Sequence, residues 1–211
     1  MCRGGVWSLR KGWRIKESSS WNQKHMKQKA ERIVEIILGE KKKKKVTEYP
    51  ISLMVKLGWD QTKGDTAFAT LAAYEGVIEK KGSVWFGTNA LASGIARKRR
   101  QEFLNAISNK KQVHMYFIVG KTGGGTNKIE YKAEVVSLES KKGGMACPES
   151  SLTPSEYSNQ KCSIWIKMKN LQPCMDQSVS DFKFANNDKL LKQALNSTCC
   201  FGYITNLHAK H

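Results

Sequence analysis

Two periods of apolar residues alternate along the chain and sort it into elements. Between Trp21 and Leu38, Met26, Ala30, Ile33, Val34, Ile37 and Leu38 recur at three- and four-residue steps, which predicts a helix with one apolar face. Ser18–Ser20 can cap that helix, and Gly39 stands where it should stop. After Pro50, the run ISLMVKLGW is apolar without a clear period and reads either as a strand or as a helix start. Asp65 can cap a helix over about Thr66–Lys80, with Phe68, Leu71, Ala72, Val77 and Ile78 as its apolar contacts and Gly82 as its end. Val84–Phe86 is a brief strand. Ser93 can cap a helix over about Gly94–Ser108, in which Ile95, Phe103, Leu104 and Ile107 face inward.

From Val113 the period becomes two: Val113, Met115 and Phe117 take one face, His114, Tyr116 and Ile118 the other. Gly123–Gly125 reads as a mobile hairpin tip, and the partner strand runs over about Ile129–Leu138. Lys141–Tyr157, rich in Gly, Ser and Pro, reads as a loop, and Ile164–Lys169 as another strand. Phe182–Ile204 mixes a helix around Lys189–Leu195 with a short last strand at Phe201–Ile204. The pattern predicts an α+β domain over residues 46–211, preceded by a partly disordered basic extension, 1–45, with one helix and a lysine run.

Charge changes this picture most. The 211 residues carry 36 Lys and Arg against 18 Asp and Glu, a formal charge of +18. Residues 1–45 hold 14 of those cations against 4 acids, so the extension is the denser part. Such a balance favours polyanions, nucleic acid before anionic membrane, although it also serves solubility alone. Lys41–Lys45 should repel itself and stay extended, as a linker or as a phosphate-binding arm. No apolar run approaches the ~20 residues of a membrane helix, and the N-terminus lacks an uninterrupted apolar signal core. The six cysteines show no CxxC spacing and no paired histidines nearby. Zinc is therefore not expected, and reduced thiols in a cytoplasmic protein are.

Catalytic constellations are missing from the pattern. GKT at Gly120–Thr122 would need a glycine at position 115 to complete a phosphate loop, and that residue is Met115. His114 is the only candidate base, and it reads as well as a packed strand residue. The carboxylates are scattered, with no cluster suited to two-metal chemistry, so neither an enzyme nor a cofactor is expected. Binding features are denser. Arg97, Lys98, Arg99 and Arg100 fall in the first turns of a predicted helix, where each positive charge costs about 0.3–1 kcal/mol unless an anion is held there. Trp165 shares its strand side with Lys167, and Trp85 lies opposite Val84 and Phe86. With Tyr116 and Tyr157 these rings can form a base-stacking pocket, or all four can be core. Lys110, Lys111 and Lys167 join Arg97–Arg100 as candidates for gripping a backbone.

The order VWFG, basic helix, VHMYFIV, YKAEVVSL, a proline-bearing loop ending near Tyr157, IWIKMKNLQ and a tail closing on CCFGYI resembles the EVE-like members of the PUA superfamily. These are relatives of YTH readers and of the specificity modules of modified-cytosine restriction systems. The resemblance covers about Val84–Ile204 and implies a small curved β-barrel or sheet with flanking helices. It implies binding of DNA, including DNA with a modified base, or of RNA. By the same resemblance, Trp85, Tyr116 and Trp165 would line the base pocket, and any cleavage would lie with a separate motor or nuclease subunit. A scaffold whose charge only keeps it soluble, and a small hydrolase using His114, stand as the other classes.

Overall fold

A computed structural model describes residues 47–61, 63–195 and 200–208; the predicted helix at Trp21–Leu38 and the run Lys41–Lys45 lie outside them. The ambiguous run after Pro50 is a strand, β1 (Ile51–Leu57), in which Ser52–Val55 are all buried. Covered on both faces, it has no polar side to give it a period. It is followed by α1 (Ala67–Lys81), β2 (Val84–Thr88), α2 (Arg97–Ser108), β3 (His114–Val119), β4 (Lys128–Ala146) and β5 (Lys161–Pro173). The chain ends with β6 (Phe182–Phe184), a single helical turn α3 (Leu191–Ala194) and β7 (Phe201–Asn206).

The seven strands make one mixed sheet in the order β2-β5-β4-β3-β1-β7-β6. It is open: β2 and β6 form its two edges, so the barrel form of the expectation is not realised among the described residues. Only β1 and β3 run parallel; every other neighbouring pair is antiparallel. β7, last in the chain, lies between β1 and the edge strand β6 and pairs with both. One sheet face carries Val55, Phe86, Met115, Phe117, Leu138 and Ile166, packed with Leu71 and Tyr74 of α1 and Phe103 and Ala106 of α2. The opposite face holds two smaller apolar clusters, one around Met54, Ile118 and Phe182, the other around Trp85 and Trp165.

Local boundaries depart from the sequence reading: β5 runs over Lys161–Pro173 rather than Ile164–Lys169, β6 is an unexpected strand, and the helix expected around Lys189–Leu195 is one turn. α1 is capped by Thr66, whose Oγ1 accepts from the N–H of Ala69 at 3.3 Å, while Asp65 instead accepts from the N–H of Thr66 at 2.7 Å. Ser93 caps nothing. Gly94 turns the chain at φ 71°, the N–H of Ile95 bonds Ser140 Oγ at 2.8 Å, and α2 begins only at Arg97. β4 continues to Ala146 and pairs with Lys161, so the first part of the expected loop is hairpin, eased by Gly143 and Gly144 at positive φ. The Gly123–Gly125 segment is no free tip: Gly123 is buried, and a Cβ there would stand 2.8 Å from that of Ala67. A 3-10 turn over Lys121–Gly123 leads directly into β4, so GKT precedes no helix that would cradle phosphate.

Candidate nucleic-acid interface

The four rings expected to form a base pocket are separated. Tyr157 lies in the main core, stacked on Tyr74 with ring centroids 5.4 Å apart and its hydroxyl donating to the Asp60 carboxylate. Burial, then that carboxylate, pushes the Tyr157 phenol well above its ordinary value. Tyr116 belongs to the cluster around Met54, 5.0 Å from the ring of Phe182, and burial raises its phenol likewise. Trp85 and Trp165 do share a cluster, but they are 3% and 0% exposed.

The reason is a segment that the strand alternation does not reveal. Met145, Cys147 and Leu152 pack against the two indoles. Trp165 Nε1 donates to the carbonyl of Met145 at 2.9 Å, and Trp85 Nε1 donates to Glu149 Oε1 at 3.2 Å. Thr153 Oγ1 donates to the carbonyl of Trp85 at 3.0 Å and fastens the far end. Lys167 Nζ stands 2.8 Å from the same Glu149 oxygen and 5.7 Å from the Trp85 ring centroid. Hydrogen bonds from Lys167 and Trp85 hold the Glu149 carboxyl below its ordinary value. Gly87 makes room for the indole: a Cβ there would meet Trp165 Cζ3 at 2.8 Å and Cys162 Sγ at 2.7 Å. The cluster is closed, internally hydrogen-bonded core, and it offers no face to a base.

The cations divide as sharply. Arg99 is bound to Glu102 at 2.8 Å and lies 5.3 Å from the Tyr203 ring centroid. Arg100 reaches Glu139 on β4 at 2.8 Å, and Lys167 is committed to Glu149. These three act as ties within the domain. Arg97, Lys98, Lys110 and Lys111 are exposed and enter no ion pair among the described residues.

Their positions follow from the helix. α2 opens at Arg97 and has no acidic residue in its first turn. Its N-cap, Ala96, offers no side-chain bond to the free amides. Phe103 and Ala106 face the core, which leaves Arg97, Lys98, Gln101, Asn105 and Ser108 in solvent. A helix of 12 residues spans about 18 Å, so Arg97 and Lys98 stand at its start and Lys110 and Lys111 just past its end, with the exposed amides of Gln101 and Asn105 between. An open groove of about 590 Å³ runs along its first half, between Arg97, Lys98, Gln101, Asn105 and the tied Glu102. Cations and side-chain amides are the groups that contact phosphate, sugar and base edges in protein–nucleic acid interfaces generally.

Residues 60–201 match the family model described as Pua-like. The chain belongs to the Pua-like family. No curated protein matches it. The Pua-like match takes in β2 to β6 and both long helices, and ends at Phe201, the first residue of β7. Among the described residues of this Pua-like chain no helix is long and apolar enough to cross a membrane.

Two features escaped the sequence reading. Trp59, just past the end of β1, is 53% exposed, the one tryptophan among the described residues that stands in solvent. Its signal was the neighbouring Gly58 and Asp60, turn residues that take it out of the strand. The second is a polar notch lined by residues of separate strands and by His114, the candidate base, which sits 3.4 Å from Glu48.

Proposed function

We propose that this Pua-like chain is a nucleic-acid-binding module that holds a sugar–phosphate backbone along α2. The observation that carries this is the exposed face of that helix, with Arg97 and Lys98 at one end, Lys110 and Lys111 at the other and no free carboxylate between. Trp59 supplies a solvent-facing ring for stacking on an unpaired base, worth about 1–3 kcal/mol. Lys41–Lys45, directly before the domain, would add sequence-independent affinity.

Salt-dependent binding of labelled oligonucleotides tests the proposal. The chain should bind single-stranded RNA or DNA with a steep salt dependence. Replacing Arg97, Lys98, Lys110 and Lys111 by alanine should lower the magnitude of the log–log slope by about 0.7 per lost phosphate contact. A slope unchanged by those four substitutions overturns the role of α2, and no binding at all overturns the module.

The finer reading, an EVE-like reader of a modified base in DNA that serves a separate motor or nuclease subunit, is tested in the same assay. Tighter binding of DNA carrying a modified cytosine or adenine supports it; tighter binding of RNA supports an RNA-binding PUA-type protein. With Trp85 and Trp165 closed, a modified base would have to be read at another position, such as Trp59.

A further inference from the structure

On the sheet face opposite α1 and α2, strands β3, β4 and β5 leave a notch of about 220 Å³ lined by Gln112, His114, Lys132, Glu134, Asn170 and Gln172. A bulge builds it. Lys132 pairs with Gln172 and Glu134 with Lys169, so two steps along β4 face three along β5. The additional residue is accommodated at Asn170, whose φ of 53° lies in the left-handed region that asparagine tolerates better than most residues.

Glu134 then organises the polar groups. Its Oε2 accepts from Asn170 Nδ2 at 3.1 Å and from Gln112 Nε2 at 3.4 Å, while Lys169 Nζ sits 3.1 Å from Oε1. Both amides therefore spend an N–H on the carboxylate, and the carbonyl oxygen of each has no hydrogen bond among the described residues. The Gln172 side chain is exposed and has none either. The acid is neutralised by Lys169, so the notch presents hydrogen-bonding edges with little net charge. Lys110 and Lys111, which immediately precede the lining residue Gln112 in the chain, are exposed.

Size and lining select the occupant. The space equals roughly seven water volumes, too small for a whole nucleotide or a drug-sized ligand and large enough for one planar ring. Two unengaged carbonyl acceptors favour a ring that brings an amine, and an amide and an imidazole beside them suit its ring nitrogens. We infer that this notch takes the edge of an unpaired, amine-bearing nucleobase (adenine, cytosine or guanine) from a strand whose phosphates lie on Lys110 and Lys111. The inference rests on the nucleic-acid reading above and adds a second, base-selective site to it.

The test compares binding of labelled eight-nucleotide poly-A, poly-C and poly-U RNA to the full chain and to two variants. Asn170→Gly removes the amide while keeping a backbone that readily adopts positive φ. Gln172→Ala removes an exposed side chain with no internal bond, and so leaves folding undisturbed. The full chain should bind poly-A or poly-C about tenfold more tightly than poly-U, the discrimination expected of one good two-bond base contact. Each variant should cut that ratio at least threefold, with poly-U affinity and salt slope unchanged. Equal binding of all three RNAs by the full chain, or a ratio that survives both substitutions, overturns the notch while leaving the role of α2 standing. Failure of every RNA and DNA to bind removes the underlying module, and the notch with it.

Discussion

Trp165 and Lys169 lie on the same face of the same strand, four residues apart, and meet opposite fates. At the Trp165 end, Met145, Cys147 and Leu152 fold over the sheet and turn the indoles into core. At the Lys169 end the face opens into the notch, and Lys169 is half exposed against Glu134. The two ends also differ in chemistry. Burial pushes the Cys162 thiol at the closed end up to about 11, while at the open end hydrogen-bonding groups share one carboxylate. Strand alternation assigns a side chain to a face, but whether that face is covered depends on chain elsewhere in the sequence. Here the cover follows β4 over the indoles, and beyond it Lys169, paired with Glu134, stays partly in solvent.

The contrast can be broken most forcefully at its centre. Trp165→Ala should cost about 3–5 kcal/mol of unfolding free energy in urea denaturation, the range for emptying a large buried aromatic site. A loss below about 1 kcal/mol would mean that the closed cluster contributes no core. Gly87→Ala forces a Cβ into Trp165 Cζ3 and Cys162 Sγ, and overpacking of this kind should cost about 1–3 kcal/mol by the same measurement.

A smaller effect comes from the thiols. Burial raises Cys162, and burial with the Asp176 carboxylate raises Cys174, from 9.0 to about 11 each. Above pH 9 the unfolded chain releases thiol protons that the folded chain keeps, so the thiols' contribution to stability should be constant below pH 9 and fall as pH rises towards 11. Cys162→Ser or Cys174→Ser variants should lose part of that alkaline slope; an unchanged slope would show that neither thiol is held protonated by the fold. The smallest effect belongs to the open end. Lys169→Ala should change stability by no more than about 1 kcal/mol, since the ion pair is solvent-exposed.

How far the sequence foretold this molecule follows the same line. The period of two at His114–Val119 marked a strand, and Gly82, with φ 78°, ended α1 as its position suggested. Local chemistry suffices for such features. The start of α2 was misplaced because Ile95 N–H finds its acceptor in Ser140, 45 residues away, which no local cap signal contains. Arg97–Arg100 looked uniform, yet Glu139 on β4 and Glu102 one turn on divert two of the four into the fold. The notch was invisible for the same reason: its polar groups come from three strands and meet only through a register shift.

The most direct test of where nucleic acid lies is a map of amide and indole N–H resonances of the full chain during titration with single-stranded RNA. If α2 is the interface, the largest shifts should fall on Arg97, Lys98, Gln101, Asn105, Lys110 and Lys111, while the indole N–H signals of Trp85 and Trp165 stay in place. Large shifts of those two indoles, with the α2 amides unmoved, would contradict it and return the binding site to the tryptophan cluster.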